Sequence, residues 1–140
     1  MYFDTHAHYY DRAFDADRDD VLAALPAAGV DLALCPGCDL ESSRQSVALA
    51  EQYPHLYAAV GFHPEDCAGC TDGDFDTIRD LCRSEKVVAI GEIGLDYYWA
   101  ENPPKEFQQM VFRRQLQMAL ELDLPVIVHD REATGTAWRS

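Results

Sequence analysis

Short apolar runs alternating with amphipathic stretches predict an α/β fold built on a parallel sheet. Three observations carry this. The pattern reads as strand then helix four times over, followed by a fifth strand. The runs Leu32-Ala33-Leu34 and Val87-Val88-Ala89-Ile90 are continuously apolar, as strands covered on both faces are. Residues of metal-ligand type stand where the predicted strands end, the edge at which (β/α) barrels build their sites. The expected architecture is therefore of the (β/α)8 TIM-barrel type, truncated after about five parallel strands and four helices, with residues 1–140 forming one incomplete barrel domain.

The elements follow in order. Residues 2–6 form the first strand. Residues 15–28 form a helix with Val21, Leu22 and Leu25 on one face. Pro26 weakens its end, and Gly29 supplies a C-cap. Residues 30–35 form the second strand. Asp39 caps a helix running to about Tyr53 and stopped by Pro54. Residues 57–61 form the third strand, leading into Gly61-Phe62-His63-Pro64. Residues 66–73, rich in Gly, Cys and Asp, read as a mobile loop before a helix over 75–84 that turns Ile78, Leu81 and Cys82 inward. Residues 87–90 form the fourth strand, running into Gly91-Glu92. Asn102 and Pro103 read as the N-cap and first position of a helix to about Leu122. Its stripes are Phe107, Val111, Met118 and Leu122 on one side, and Phe112, Leu116 and Ala119 on the other. Residues 126–129 form the fifth strand.

Composition narrows the function. A 140-residue chain with 48% hydrophobic and 26% charged residues has the make-up of a soluble globular domain. No apolar run approaches the roughly 20 residues that span a bilayer, and Met1-Tyr2-Phe3-Asp4 has no signal-peptide pattern. A cytoplasmic location without membrane partners is the expectation. A net charge of -14 repels nucleic acid at long range. It counts against a stoichiometric DNA-binding role, and less against an enzyme that meets a phosphodiester through bound cations. Of five cysteines, four form two C-x-x-C pairs, Cys35/Cys38 and Cys67/Cys70. A four-thiolate zinc site is one reading, but the gap between the pairs is long. Reduced thiols in loops are the plainer reading.

Within a strand, side chains two apart point the same way, so His6 and His8 of Asp4-Thr5-His6-Ala7-His8 can chelate one divalent ion together. Asp4 could fix a histidine tautomer from behind. Glu92 follows an apolar strand between Gly91 and Gly94, where a carboxylate needs a cation to compensate it. His129 ends Pro125-Val126-Ile127-Val128-His129. A lone histidine of this kind is usually structural, but three strand ends bearing ligands on one rim point to metal. His63 can hydrogen-bond substrate or a ligand, or be structural. Asp96 can orient a histidine or contact metal-bound water, and Arg131 can grip an anionic group through a bidentate pair. The alternative for both is a surface ion pair. Tyr97, Tyr98 and Trp99 form an aromatic cluster that can stack on a base or cover the barrel mouth.

Four segments together resemble the TatD family of metal-dependent deoxyribonucleases, within the amidohydrolase-like barrels. They are Asp4-Thr5-His6-Ala7-His8, Gly61-Phe62-His63-Pro64, Gly91-Glu92-Ile93-Gly94-Leu95-Asp96-Tyr97-Tyr98 and Pro125-Val126-Ile127-Val128-His129-Asp130-Arg131, and their order and separations match as well. The resemblance implies that His6 and His8 hold one ion, Glu92 bridges, and His129 binds a second. It implies hydrolysis of DNA phosphodiesters, with Glu92, Asp96, His63 and Arg131 as the catalytic set. Magnesium or manganese suits a phosphate enzyme, whereas the imidazole-rich ligands favour zinc. Relatives add a His from a sixth strand and an Asp from an eighth, which this sequence lacks, so impaired activity and self-association of the open sheet are expected. The competing readings are a related hydrolase of another ester or amide, and a non-catalytic fragment that binds metal or a partner.

Overall fold

A computed structural model describes residues 2–4 and 30–131, with side chains described from Ala33 onward. The predicted helix over 15–28, together with His6 and His8, lies outside the described residues, as does the chain after Arg131. Five strands, β1 (Tyr2–Asp4), β2 (Val30–Pro36), β3 (Leu56–Val60), β4 (Val87–Asp96) and β5 (Val126–Arg131), form one sheet in sequential order. Every neighbouring pair is parallel. Three described helices, α1 (Leu40–Gln52), α2 (Asp72–Leu81) and α3 (Lys105–Leu122), connect the strands from β2 to β5. None of them is long and apolar enough to cross a membrane.

Local chemistry sets the helix starts. Asp39 caps α1 by accepting from the Ser42 N–H, and Ser42 returns a bond to the cap. Thr71 and Asp74 do the same for α2, which corrects the expected loop over 66–73. Its last two residues are helical, and Cys67 is 1% exposed within the core. The cap expected at Asn102 is also corrected. α3 begins after Pro104 with no side-chain cap, because the Asn102 amide instead donates to Asp96.

The sheet has two unlike faces. Ala33, Cys35, Ala58, Val60, Ile90 and Ile93 pack against the helices in the main core, whereas Leu34, Ala59 and Ala89 form a small cluster on the opposite face. The alternation that produces this is the two-residue period of a strand. β4 runs to Asp96 rather than ending at Ile90, and its register against β5 shifts between Ile90 and Ile93. This irregularity decides the site. Unbroken alternation from Ala89 would turn Glu92 toward the helices. The shift lets Ile90 and Ile93 share the apolar face, so Glu92 and Asp96 emerge on the other one.

Candidate metal centre

Ile127 belongs to the small-face cluster, so His129 and Arg131, two and four residues further along β5, lie on that face too. Gly94 pairs with His129 and Asp96 with Arg131. Gly94 sits at a φ of 140°, and a Cβ there would collide with the His129 backbone carbonyl. The close approach of β4 to β5 at the site therefore requires glycine. His63 arrives from the turn after β3, where its backbone N–H donates to the Cys38 carbonyl at 2.8 Å.

These elements bring His63, Glu92 and His129 together, with one potential ligand atom from each lying within 4.8 Å of the others. Glu92 and His63 are each 8% exposed. Glu92 Oε1 is 3.4 Å from His129 Nδ1 and 3.9 Å from His63 Nε2. The two imidazole centroids are 4.5 Å apart. Among the described residues this is the cluster of His, Cys, Asp and Glu side chains able to hold a metal. The two C-x-x-C pairs do not converge on a four-thiolate site: all four are reduced thiols, with Cys38, Cys67 and Cys70 in loops as expected, whereas Cys35 lies in β2.

Proton bookkeeping tests the fit. His129 Nε2 lies 2.9 Å from Asp96 Oδ2, so the ring donates its Nε2–H to that carboxylate. In the neutral ring Nδ1 then turns a lone pair toward the Glu92 carboxylate, where either a second ring proton or a cation would fill the gap between them. Two ligand atoms each about 2.0–2.1 Å from a tetrahedral ion stand about 3.4 Å apart, and the Glu92–His129 separation matches. Asp96 behind His129 is the carboxylate–histidine support that metal-binding imidazoles use. His63 differs. Its Nδ1 accepts from the Glu65 N–H at 3.2 Å, which leaves the proton on Nε2 and makes it a donor facing the site.

Asp96 is fully buried and intensively bonded. Burial alone would raise its carboxyl, but the hydrogen bonds with His129 and from the Tyr98 N–H outweigh it and hold it below the usual carboxylate value. Glu65 shifts the other way: partial loss of solvent, then its hydrogen bond to the Asp96 carboxylate, raise it. Two residues absent from the sequence-derived set support this geometry. Gln108 on α3 accepts from the Asp96 N–H at 2.8 Å and donates to the Asp96 carbonyl at 2.9 Å. Gln115, two turns on along the helix, accepts from the Phe62 N–H at 2.7 Å and donates to the Phe62 carbonyl at 3.2 Å. Both amides are 1% exposed. Their signal was available as two polar residues seven apart on an otherwise apolar helix face. Arg131 lays its guanidinium over the Tyr98 ring, 4.0 Å from the centroid.

Comparisons with known proteins agree with this frame. The family model described as TatD related DNase matches residues 3–139. The chain is 42% identical over 134 residues to a protein of Bacillus subtilis named as the uncharacterized metal-dependent hydrolase YabD, covering 96% of this chain and 52% of that one. It is 40% identical over 131 residues to the 3'-5' ssDNA/RNA exonuclease TatD of Salmonella typhimurium, covering 94% and 50%. The crystal structure of the TatD homologue YjjV from Escherichia coli superposes with a TM-score of 0.89 at 36% identity, covering 97% of this chain and 53% of that one. The chain thus spans about half the length of the curated relatives it matches.

Proposed function

We propose, from the premise that the chain belongs to the TatD-related DNase family, that it contributes the metal-binding strand ends of a hydrolase that cleaves phosphodiester bonds in single-stranded nucleic acid. The observation that carries the proposal is the Glu92–His129 pair, with a ligand-to-ligand spacing of 3.4 Å and Asp96 fixing the far ring nitrogen of His129 at 2.9 Å. A cation-binding pair supported from behind by a carboxylate suits a Lewis-acid site better than an ion pair made for stability.

Glu92 and His129 would hold the ion, with His6 and His8 as the further ligands the sequence offers. A divalent ion there, whether magnesium, manganese or zinc, supplies Lewis-acid charge and activates water. Asp96 keeps the His129 tautomer that leaves Nδ1 free to ligate. His63 presents its Nε2–H to a phosphate oxygen. The Arg131 guanidinium can use its face on Tyr98 and its edge on a second phosphate oxygen. The β1 and β5 edges, each paired on one side among the described residues, support self-association through an open edge. Sedimentation of a monomer at all concentrations would refute that part.

The test is metal-dependent cleavage of labelled single-stranded and duplex oligonucleotides, with a chelator control. Single strands should be cleaved with added manganese, magnesium or zinc. Asp96→Asn, behind His129, should lower metal affinity, read by equilibrium dialysis, on the order of 10- to 100-fold, and Glu92→Gln should lower it at least as much. Unchanged metal binding in Glu92→Gln would overturn the assignment.

A further inference from the structure

We propose that Tyr98, Trp99 and Arg131 form a stacking subsite for an unpaired nucleobase, next to the metal ligands. The inference rests on the functional reading above and adds which part of the strand is gripped.

Among the described residues, Tyr98 and Trp99 are neighbouring exposed large apolar side chains, 48% and 44% accessible, whereas Met110 and Leu120 stand apart on α3. Their rings meet edge to face at 4.6 Å, with planes 86° apart. Arg131 completes the surface, its guanidinium 4.0 Å from the Tyr98 centroid and 5.6 Å from that of Trp99. Exposed aromatic rings beside a planar cation have the composition of a base-stacking platform.

The platform is fixed rather than trailing. The Tyr98 N–H donates to Asp96 Oδ1 at 3.0 Å, and the Asn102 amide donates to Asp96 Oδ1 and to its carbonyl. The Tyr97 N–H donates to the Arg131 carbonyl at 3.0 Å. The carboxylate that orients His129 thus also anchors the loop bearing the rings, and Arg131 stands two residues from His129 on the same strand face. A strand whose phosphate lies at Glu92 and His129 would place an adjoining base within reach of this surface. Preorganised rings lose little freedom on binding.

Charge bears on the occupant. A net charge of -14 gives little long-range attraction for phosphates, so contacts indifferent to charge must carry a larger share of the affinity. Stacking is one, and it needs a base whose face is not covered by a paired helix. Each base stacked on an aromatic side chain strengthens binding by about 5- to 150-fold.

The experiment compares two fluorescein-labelled probes, an oligothymidylate of about ten nucleotides and an abasic phosphodiester strand of the same length. Binding is read by anisotropy with EDTA present, so that neither strand is cut. The oligothymidylate should bind at least about tenfold tighter. Trp99→Ala and Tyr98→Ala should erase that difference without changing binding of the abasic strand, and Trp99→Phe should restore most of it. Circular dichroism verifies that each variant is folded. Equal affinity for the two probes, no binding of either, or a folded Trp99→Ala that retains wild-type preference would overturn the subsite. Base-dependent binding without metal-dependent cleavage would sink the hydrolase reading and leave the subsite standing. Cleavage with base-indifferent binding would do the reverse.

Discussion

Replacing Gln115 by leucine tests whether α3 holds the turn that bears His63. The amide is 1% exposed and bonds both the N–H and the carbonyl of Phe62, at 2.7 and 3.2 Å. Leucine has a similar volume, so packing changes little and hydrogen bonding is what is lost. Two buried backbone groups would be left unpaired at about 1–3 kcal/mol each. Set against the gain from burying a more apolar side chain, the net loss is about 2–4 kcal/mol. For a domain of this size, each kcal/mol moves the thermal midpoint by about 3–5 °C, so a fall of roughly 10 °C is expected. Thermal unfolding followed by circular dichroism measures it. Gln117→Leu, at an exposed position on the same helix, serves as the control and should change stability by no more than about 0.5 kcal/mol. Gln115→Glu retains an acceptor for the Phe62 N–H but sets a buried carboxylate against the Phe62 carbonyl, and at neutral pH should be at least as destabilised as leucine. A midpoint for Gln115→Leu equal to that of Gln117→Leu would refute the clamp.

Other residues give sharper contrasts. Gly94→Ala would drive a Cβ into the His129 carbonyl at a left-handed φ and should cost at least about 3 kcal/mol in urea unfolding. Gly69→Ala, at φ 76° with nothing within 4 Å, should cost only about 1–2 kcal/mol of backbone strain. Similar losses for the two would refute the close approach of β4 and β5. The Asp96 carboxyl lies below its ordinary value of 3.8 in the fold. Its stabilising contribution is therefore present above that pH and lost as pH falls through the lowered value. Asp96→Asn should be less stable at neutral pH and lose less stability as pH falls below 3.8, and parallel urea curves in that acid range would contradict this. Burial pushes the Cys67 thiol up to about 11, so at pH 8 only about a thousandth is thiolate. Iodoacetamide should label it more than about 100-fold slower than a free thiol, and early labelling of Cys67 in mass spectra would refute its burial.

Much of the fold was legible because buried parallel strands are written as continuous apolar runs. Leu32-Ala33-Leu34 lies in β2, and Val87-Val88-Ala89-Ile90 opens β4. Asp39 announced α1 through a side chain that bonds locally. Boundaries failed where tertiary contacts overruled local signals. Asn102 has cap chemistry, yet the buried Asp96 offers its amide a better partner. Thr71 and Asp74 reach each other across the start of α2 through a capping box, hidden in sequence by the glycine and cysteines that precede it. Gly91 and Gly94 lower strand propensity, so the local sequence predicts that β4 ends at Ile90. Its continuation is specified by pairing with β5, which no local window contains. His63, Glu92 and His129, which the structure brings together, stand out in sequence by type and strand-end position, but the register shift that turns Glu92 to their face does not. A two-residue period run forward from Ala89 would point that carboxylate into the helix-covered core.

The support behind the site explains why the illegible part matters. Strand ends deliver His63, Glu92 and His129, but loop and strand-end backbone after β3 and at the end of β4 has no regular ladder to fix it on every side. α3 supplies that restraint from a single face. Gln115 binds the residue before His63, and Gln108, seven positions earlier, binds both backbone groups of Asp96. Asp96 passes the restraint to His129 through a 2.9 Å contact and to the Tyr98–Trp99 loop through its other oxygen. Two amides on one helix thus set the relative positions of His63, His129 and the exposed Tyr98–Trp99 rings. An amide can clamp both a donor and an acceptor without adding charge. Any ionised side chain in its place would bring a desolvation penalty to a site already crowded with Glu65, Glu92 and Asp96. Glutamine at 108 and 115 therefore positions the candidate metal centre without adding a charge that would compete there for a cation.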